Sequence, residues 1–265
     1  MRHFGLKLRM LFAGSILFAF YAALVGIAIS IWGGDIWVIV VPATVAFAGF
    51  QYVVGKKIAL WSVGAEDLSP EEAPEIHDAV DQLCTDMDLE KPRVMVADMG
   101  VPNAFAVGRR GAGTVVISNE LRRTLEFDEL EGVIAHELAH ISNRDVVMMV
   151  LGQSIASMVG IAVQWGIIMS GRRSISDYFA GMIAGTIAQF IVMAFVLVIS
   201  RSREYAADRD AAFYTGSGEP LASALEKISS ANERSDEQLD DNVSALCIFG
   251  EGRGVLTKLF ATHPP

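Results

Sequence analysis

Cysteine and lysine are both scarce in this chain of 265 residues. The two cysteines, Cys84 and Cys247, are far apart and form no CxxC pair, so neither a disulfide framework nor a cysteine-rich zinc motif is predicted. We interpret them as ordinary thiols of a reducing compartment. Acidic residues outnumber basic ones by 31 to 21, and only six of the basic residues are lysines. The net charge of −10 argues against nucleic-acid binding, which requires basic surfaces.

Long apolar runs are abundant instead, and 52% of the residues are hydrophobic. Four runs are nearly free of charge and long enough, at about 1.5 Å per helical residue, to cross a hydrocarbon core of roughly 30 Å. They are residues 10–32, 36–54, 146–170 and 179–200. The first run is too long for the apolar part of a signal peptide, and a second run follows it at once. The sequence therefore predicts four transmembrane helices in a lipid bilayer.

The basic residues beside these runs predict the orientation in the membrane, because basic flanks favour the cytoplasmic side. Eight basic residues flank one side, and only Arg172 and Arg173 flank the other. We therefore expect a multi-pass protein of the cell membrane, with both termini and the segment between the second and third spans in the cytoplasm.

The predicted spans divide the chain into two membrane hairpins and two soluble segments. The hairpins are residues 1–54 and 146–200, and the soluble segments are residues 55–145 and 201–265.

Short β-rich runs in the first soluble segment predict a small sheet. These runs are residues 93–97, 105–107 and 114–118. A helix is predicted to follow the sheet, with Asp128 as its N-cap and Glu131 three residues further on.

This helix carries the run HELAH at residues 136–140. His136 and His140 lie one helical turn apart on the same face, so both imidazoles can reach a single Zn²⁺. Glu137 is placed to accept a proton from an attacking water. The same five residues also occur on ordinary amphipathic helices with surface histidines, so the rest of the site has to decide between the two interpretations.

A catalytic zinc needs a third protein ligand and one open position. Glu204 and Asp208 lie on one helical face, so one carboxylate can bind the metal while the other holds a ligand imidazole by its second nitrogen. His140 precedes the third predicted span by six residues, and Glu204 follows the fourth by four. Since these spans must be antiparallel, both residues are expected at similar heights on the cytoplasmic side. Taken alone, the two carboxylates could also be an exposed acidic pair.

The chain resembles the HtpX-type membrane zinc metalloproteases, which belong to the gluzincin group and are related to the CAAX prenyl proteases. The resemblance rests on motifs that occur in the family's order. They are PNAFA at 102–106, HELAH at 136–140, NRD at 143–145, REYAAD at 203–208 and THPP at 262–265.

This resemblance implies an α+β membrane protein, with four transmembrane helices and a mostly helical protease domain whose small sheet lies over the HExxH helix. It implies that His136, His140 and Glu204 bind one Zn²⁺ per chain. It further implies that Glu137 is the general base and that Asp208 supports a zinc-bound histidine.

Two further segments are candidates for contact with the substrate. An edge strand containing Asn103, Ala104 and Phe105 could pair with an extended substrate through main-chain hydrogen bonds. An ordinary strand after a Pro-Asn turn is the alternative. His263 is the candidate for stabilising the developing oxyanion, and a histidine without a catalytic role is the alternative.

These patterns predict a zinc endopeptidase that cuts on the cytoplasmic side, and the resemblance implies misfolded or damaged membrane proteins as substrates. One alternative is a CAAX-type processing protease, although those relatives have more spans. Another is a non-catalytic scaffold, whose structural zinc would be closed by Cys84 or Cys247 as a fourth ligand. An intramembrane protease is discounted because dense charges around HELAH would be costly in lipid.

Overall fold

The computed structural model describes residues 37–170 and 174–232. The first predicted span, the Arg172–Arg173 pair, Cys247 and His263 lie outside the described residues. The chain forms two compact units. One contains Met148–Ser200 together with the residues up to Val53, and the other contains Val54–Val147 together with the residues from Arg201 onward.

Helices dominate the described part of the chain, with one short strand between the first and second helices and three more between the second and third. In chain order the elements are α1 (Trp37–Ser62), β1 (Glu66–Asp67), α2 (Pro74–Asp86), β2 (Arg93–Ala97), β3 (Ala104–Val107), β4 (Thr114–Ser118), α3 (Asn119–Thr124), α4 (Phe127–Ser142), α5 (Asp145–Ser170), α6 (Ile175–Tyr214) and α7 (Glu219–Asn232).

The four strands form one mixed sheet in the order β1-β2-β4-β3. Strands β2 and β4 are parallel, whereas β1 and β3 run antiparallel to their neighbours. Within the described residues β3 is bonded to β4 alone, so it is an edge strand. The mostly helical fold with a small sheet confirms the predicted α+β class. Strands β2 and β4 have the predicted bounds, and β3 begins one residue earlier than predicted, at Ala104.

Both faces of the sheet are covered, which explains why every residue of β4 is buried. One face packs with α2, α4 and α7 in a core that includes Val115, Ile117 and Leu138. The other face packs against α1 around Phe105 and Val116. Apolar contact on two sides stabilises the sheet and holds α4 beside the edge strand β3.

Helix α4 begins before the predicted cap. Its N-cap is Glu126, which exchanges side-chain and backbone hydrogen bonds with Glu129 in a capping box, so the prediction of Asp128 as the N-cap was wrong. The reason is tertiary, because Ser223 and Lys227 of α7 bind the Glu129 carboxylate at 2.6 and 2.7 Å. Burial raises the pKa of Glu129, but these hydrogen bonds outweigh it and lower the pKa overall.

In the other unit, α5 and α6 lie in close contact at small residues. A Cβ atom added to Gly185 would lie 2.6 Å from the carbonyl oxygen of Gly160, and one added to Gly152 would lie 2.9 Å from the Val196 side chain. These glycines therefore permit the close approach of the two helices.

Helices α5 and α6 are also the two helices, among the described residues, that are long and apolar enough to cross a membrane. This assignment rests on length and composition. It agrees with a membrane protein, while the predicted total of four transmembrane helices is not confirmed.

Candidate metal centre

Helix α4 presents two histidines side by side. The Nε2 atoms of His136 and His140 are 3.1 Å apart, and the rings meet edge to face. One helical turn separates the two residues, so this proximity follows directly from their spacing. His136 is 3% exposed and the side chain of His140 is 13% exposed, so the pair is largely shielded from solvent.

Glu204 of α6 completes a group of three. Its Oε2 atom lies 3.5 Å from Nε2 of His136 and 3.6 Å from Nε2 of His140. One potential ligand atom from each residue lies within 4.8 Å of the others. The structure thus brings together the three predicted metal ligands, although Glu204 follows His140 by more than sixty residues in the chain.

A carboxylate lies behind each histidine. Asp208 Oδ1 is 3.0 Å from Nδ1 of His136, and Asp145 Oδ2 is 2.7 Å from Nδ1 of His140. An Nδ1–H group on each ring donates to its carboxylate, which leaves the lone pair of each Nε2 facing the other and the Glu204 carboxylate. Three acceptors that converge in a buried space repel one another unless a cation lies between them. Two imidazoles and a carboxylate are also a donor set that suits Zn²⁺, so these residues fit the metal.

The electrostatic surroundings favour positive charge in this space. Burial lowers the pKa of His136, but the neighbouring carboxylates of Asp208 and Glu204 raise it, and the net shift is upward. Burial also lowers the pKa of His140, and the nearby carboxylate of Glu204 reverses that shift. The negative charge of Glu137 contributes to the raised pKa of both histidines. Glu137 itself is 3% exposed, so its carboxylate is shielded from bulk water.

Two residues for which no role was predicted, Asp145 and Arg203, support the histidines. Asp145, the first residue of α5, orients His140, and Arg203 of α6 forms an ion pair with the second oxygen of Asp145. Burial lowers the pKa of Arg203 to about 10, which leaves the guanidinium charged at neutral pH. Asp145 belongs to the NRD run, and an acidic residue five positions after the second histidine was the available signal.

The remaining predicted residues lie in three different places. Ala104 and Phe105 belong to the edge strand β3, and Asn103 precedes it, with its carbonyl accepting from the Ser118 N–H at 2.8 Å. Strand β3 packs against α4, the helix that carries the histidines. His263 lies outside the described residues.

Cys84 is not part of the three-residue metal group. It lies in the apolar core, where burial raises the pKa of its thiol to about 11. A thiol with so high a pKa is a poor metal ligand, which argues against Cys84 as the fourth ligand of a closed structural site.

An HExxH helix whose two histidines meet a later glutamate beside a small mixed sheet defines a metallopeptidase. Residues 70–265 match peptidase family M48, and the chain belongs to this family.

Named relatives agree with this assignment. The chain is 50% identical to a protease HtpX homolog of Halobacterium salinarum, over 97% of this chain and 96% of that protein. It is 38% identical to a protease HtpX homolog of Moorella thermoacetica, over 82% of this chain and 76% of that protein. Together with the apolar helices, these relatives identify a membrane metalloendopeptidase whose substrates are peptides or proteins. They do not favour the alternative of a CAAX-type processing protease.

The fold also resembles a solved structure, that of S. mikatae Ste24p, with a TM-score of 0.58 and 17% sequence identity. The similarity covers 98% of this chain and 64% of that chain, so this chain spans slightly less than two thirds of the length of Ste24p. At this identity the similarity shows a common fold alone.

Proposed function

We propose that the protein is a zinc endopeptidase that binds one Zn²⁺ per chain through His136, His140 and Glu204. The observation that supports this most strongly is the convergence of three potential ligand atoms, with the Nε2 atoms 3.1 Å apart and Glu204 Oε2 within 3.6 Å of both. Peptidases of this family in general depend on zinc. When bound, zinc polarises the scissile carbonyl and acidifies an attacking water.

The protein's own residues then move the proton. Glu137 accepts it from the attacking water as the water oxygen bonds to the carbonyl carbon, and returns it to the amine nitrogen as the peptide bond breaks. Asp208 and Asp145 keep the imidazoles aligned during this exchange, because each holds an Nδ1–H group. The dry surroundings of Glu137 strengthen its interaction with the developing positive charge of the amine.

Metal analysis combined with proteolysis tests this proposal. The full chain, purified in mild detergent, is expected to contain one zinc per chain and to digest casein. Removal of zinc by a chelator is expected to abolish the digestion, and one equivalent of Zn²⁺ is expected to restore it. Digestion that persists after zinc has been removed to trace levels would refute a zinc-dependent mechanism.

We propose that β3 binds the substrate as an added strand. The Asn103 carbonyl accepts from the Ser118 N–H, so Asn103, Phe105 and Val107 direct their main-chain groups toward β4. Ala104 and Ala106 alternate with them and direct their N–H and C=O groups away from β4. Among the described residues no strand occupies this edge. Ala104 is 0% exposed, whereas Ala106 is partly exposed, so Ala106 is the residue whose main chain would bind the peptide.

Replacement of Ala106 by proline tests this pairing. Proline removes the outward N–H and leaves the bonds of β3 to β4 intact, since proline is tolerated on an edge strand when its N–H would face outward. One lost hydrogen bond of about 0.5–1.5 kcal/mol predicts that kcat/KM on a peptide falls about 2- to 13-fold. Ala106→Gly is the control, because it keeps the N–H and changes only the methyl group. Equal kcat/KM values for the proline and glycine variants, both folded by circular dichroism, would contradict the pairing.

We propose that the protein crosses the membrane four times, with both termini and the catalytic residues in the cytoplasm. The apolar runs, the two described helices that are long enough to span, and the excess of basic residues on one side support this topology. Single cysteines placed at residue 35 and at residue 66 in a variant without native cysteines can be labelled from outside intact cells. Labelling is expected at residue 35. Labelling at residue 66 would contradict the proposed orientation and indicate the opposite one.

We propose misfolded or damaged membrane proteins as the substrates. Pairing through the main chain selects an extended conformation rather than a sequence, and unfolded chains offer this conformation where folded ones do not. In proteoliposomes, a membrane protein is expected to be cut faster after destabilisation than in its native state. Equal rates for the two states would contradict this proposal.

A further inference from the structure

Two residues of α6 bind the short junction between α4 and α5. Arg203 donates from Nη2 to the carbonyl oxygen of Asn143 at 3.2 Å and forms an ion pair with Asp145. Two turns further along α6, Asp210 accepts a hydrogen bond from the Asn143 side chain at 3.1 Å. We call these four residues, Asn143, Asp145, Arg203 and Asp210, the junction clamp. The two clamp residues on α6, Arg203 and Asp210, are close to Glu204 in sequence.

The junction itself is held in an uncommon conformation. Arg144 has a φ of 61°, in the left-handed region that a residue with a side chain rarely adopts. This single residue ends α4 and lets α5 begin at once, with Asp145 as its first residue. Such a conformation persists when the surrounding contacts determine it, and the clamp supplies contacts on both sides of Arg144.

The clamp also reaches the metal centre. The Oδ1 atom of Asp145 pairs with Arg203. Its Oδ2 atom lies 2.7 Å from Nδ1 of His140. Because Arg203 occupies one oxygen, the plane of the carboxylate is fixed and only the other oxygen remains for the imidazole. Asp145 and Arg203 are both buried, so the ion pair is poorly screened by solvent.

We propose that Arg203 is a positioning residue for His140, acting through Asp145 to direct the Nε2 lone pair of His140 toward Glu204. Arg203 also precedes Glu204 directly, so the same clamp sets the position of α6, and hence of Glu204, relative to both histidines. This inference rests on the proposed zinc site.

The test measures zinc affinity rather than proteolysis alone. Arg203→Met and Arg203→Lys are compared with the wild type as full chains in detergent. Zinc affinity is measured by competition with a chromophoric chelator, and ligand geometry by the visible spectrum of the Co²⁺-substituted protein. Arg203→Met is expected to weaken zinc binding about 10- to 100-fold, the usual effect of losing a residue that orients a metal ligand, and to shift the Co²⁺ bands. Arg203→Lys keeps the charge and is expected to recover part of the zinc affinity and part of the wild-type Co²⁺ spectrum.

Lys227→Met is the matched control, because Lys227 also pairs with a buried carboxylate on α4, that of Glu129. It removes an ion pair from the same helix at the end away from the histidines. The control is expected to lower the melting temperature and to leave zinc affinity and the Co²⁺ spectrum unchanged. If Arg203→Met behaves like this control, Arg203 has a structural role only and the inference is wrong.

Loss of Arg203 leaves the Asp145 carboxylate buried without its cation, so the single variant can fail to fold. The double variant Arg203→Met/Asp145→Asn removes both charges and keeps the shapes of the side chains. It is expected to fold and still to bind zinc at least 10-fold more weakly than the wild type. Wild-type affinity in the folded double variant would overturn the inference while leaving the proposed function intact. A wild-type chain without stoichiometric zinc would instead refute the proposed function.

Discussion

Replacement of Glu137 by glutamine is expected to abolish casein digestion while the protein keeps its fold and its zinc. Glutamine has the shape of glutamate, so the buried site is neither opened nor crowded, but its amide cannot accept the proton of the attacking water. Loss of a general base costs about 10²–10⁴-fold in rate, which places the variant below detection in an ordinary digestion assay. Zinc content by metal analysis and casein cleavage by gel electrophoresis measure the two parts of the prediction.

Glu129→Gln is the control for this experiment. Glu129 is another buried glutamate of α4, and it is bound by Ser223 and Lys227 rather than directed at the histidines. Its replacement is expected to lower the melting temperature, because a charge-assisted pair is lost, and to leave digestion by the folded enzyme near that of the wild type. A Glu137→Gln protein that digests casein at the rate of the control would rule out Glu137 as the base.

The paired histidines could be found from the sequence because their geometry is local. A helix fixes the distance between His136 and His140 whatever the rest of the chain does, so four residues of spacing were sufficient. Asp208 was placed near the site by the same argument, since it lies one turn from Glu204, and its Oδ1 atom is 3.0 Å from Nδ1 of His136. The structure brings these residues together, and their roles at the metal stay predictions until zinc binding is measured.

Contacts between distant segments were harder to predict. Asp145 and Arg203 are 58 positions apart, and no local periodicity relates them. Their ion pair depends on where the left-handed Arg144 directs the start of α5. The true N-cap of α4 was missed for the same reason, since Glu126 is a weak cap by residue type and the partners of Glu129 come from α7.

The edge strand β3 is a third case. The strand could be predicted from the sequence, but the main-chain groups that it exposes could not. Alternation and turn residues predicted β3, yet which of its residues face the open edge depends on the register with β4. That register moves the predicted substrate contact from Phe105 to Ala106. The side chains do not indicate which main-chain groups face the open edge, because Ala104 and Ala106 are both small and apolar.

Removal of the Glu204 carboxylate is the second change with a large expected effect. Glu204→Ala deletes one of the three proposed ligands from a site whose other two proposed ligands lie on a single helix. Zinc sites in proteins bind with about 10–16 kcal/mol, so the share of one ligand is a few kcal/mol, and zinc affinity is expected to fall on the order of a hundredfold or more. Zinc is then lost during purification, and casein digestion disappears with it. Metal analysis and competition with a chelator measure the loss.

Two neighbours of Glu204 on α6 provide graded controls. Asp208→Asn weakens the support of His136 without removing a ligand, so zinc affinity is expected to fall less, by about 10- to 100-fold. Tyr205→Phe removes only a hydroxyl group from a side chain that is 61% exposed, and zinc affinity is expected to remain at the wild-type value. The order of zinc affinities, Tyr205→Phe above Asp208→Asn above Glu204→Ala, follows from the distance of each group from the converging Nε2 atoms. A Glu204→Ala protein that retains zinc as tightly as Tyr205→Phe would place the third ligand elsewhere in the chain and invalidate the site proposed for the metal.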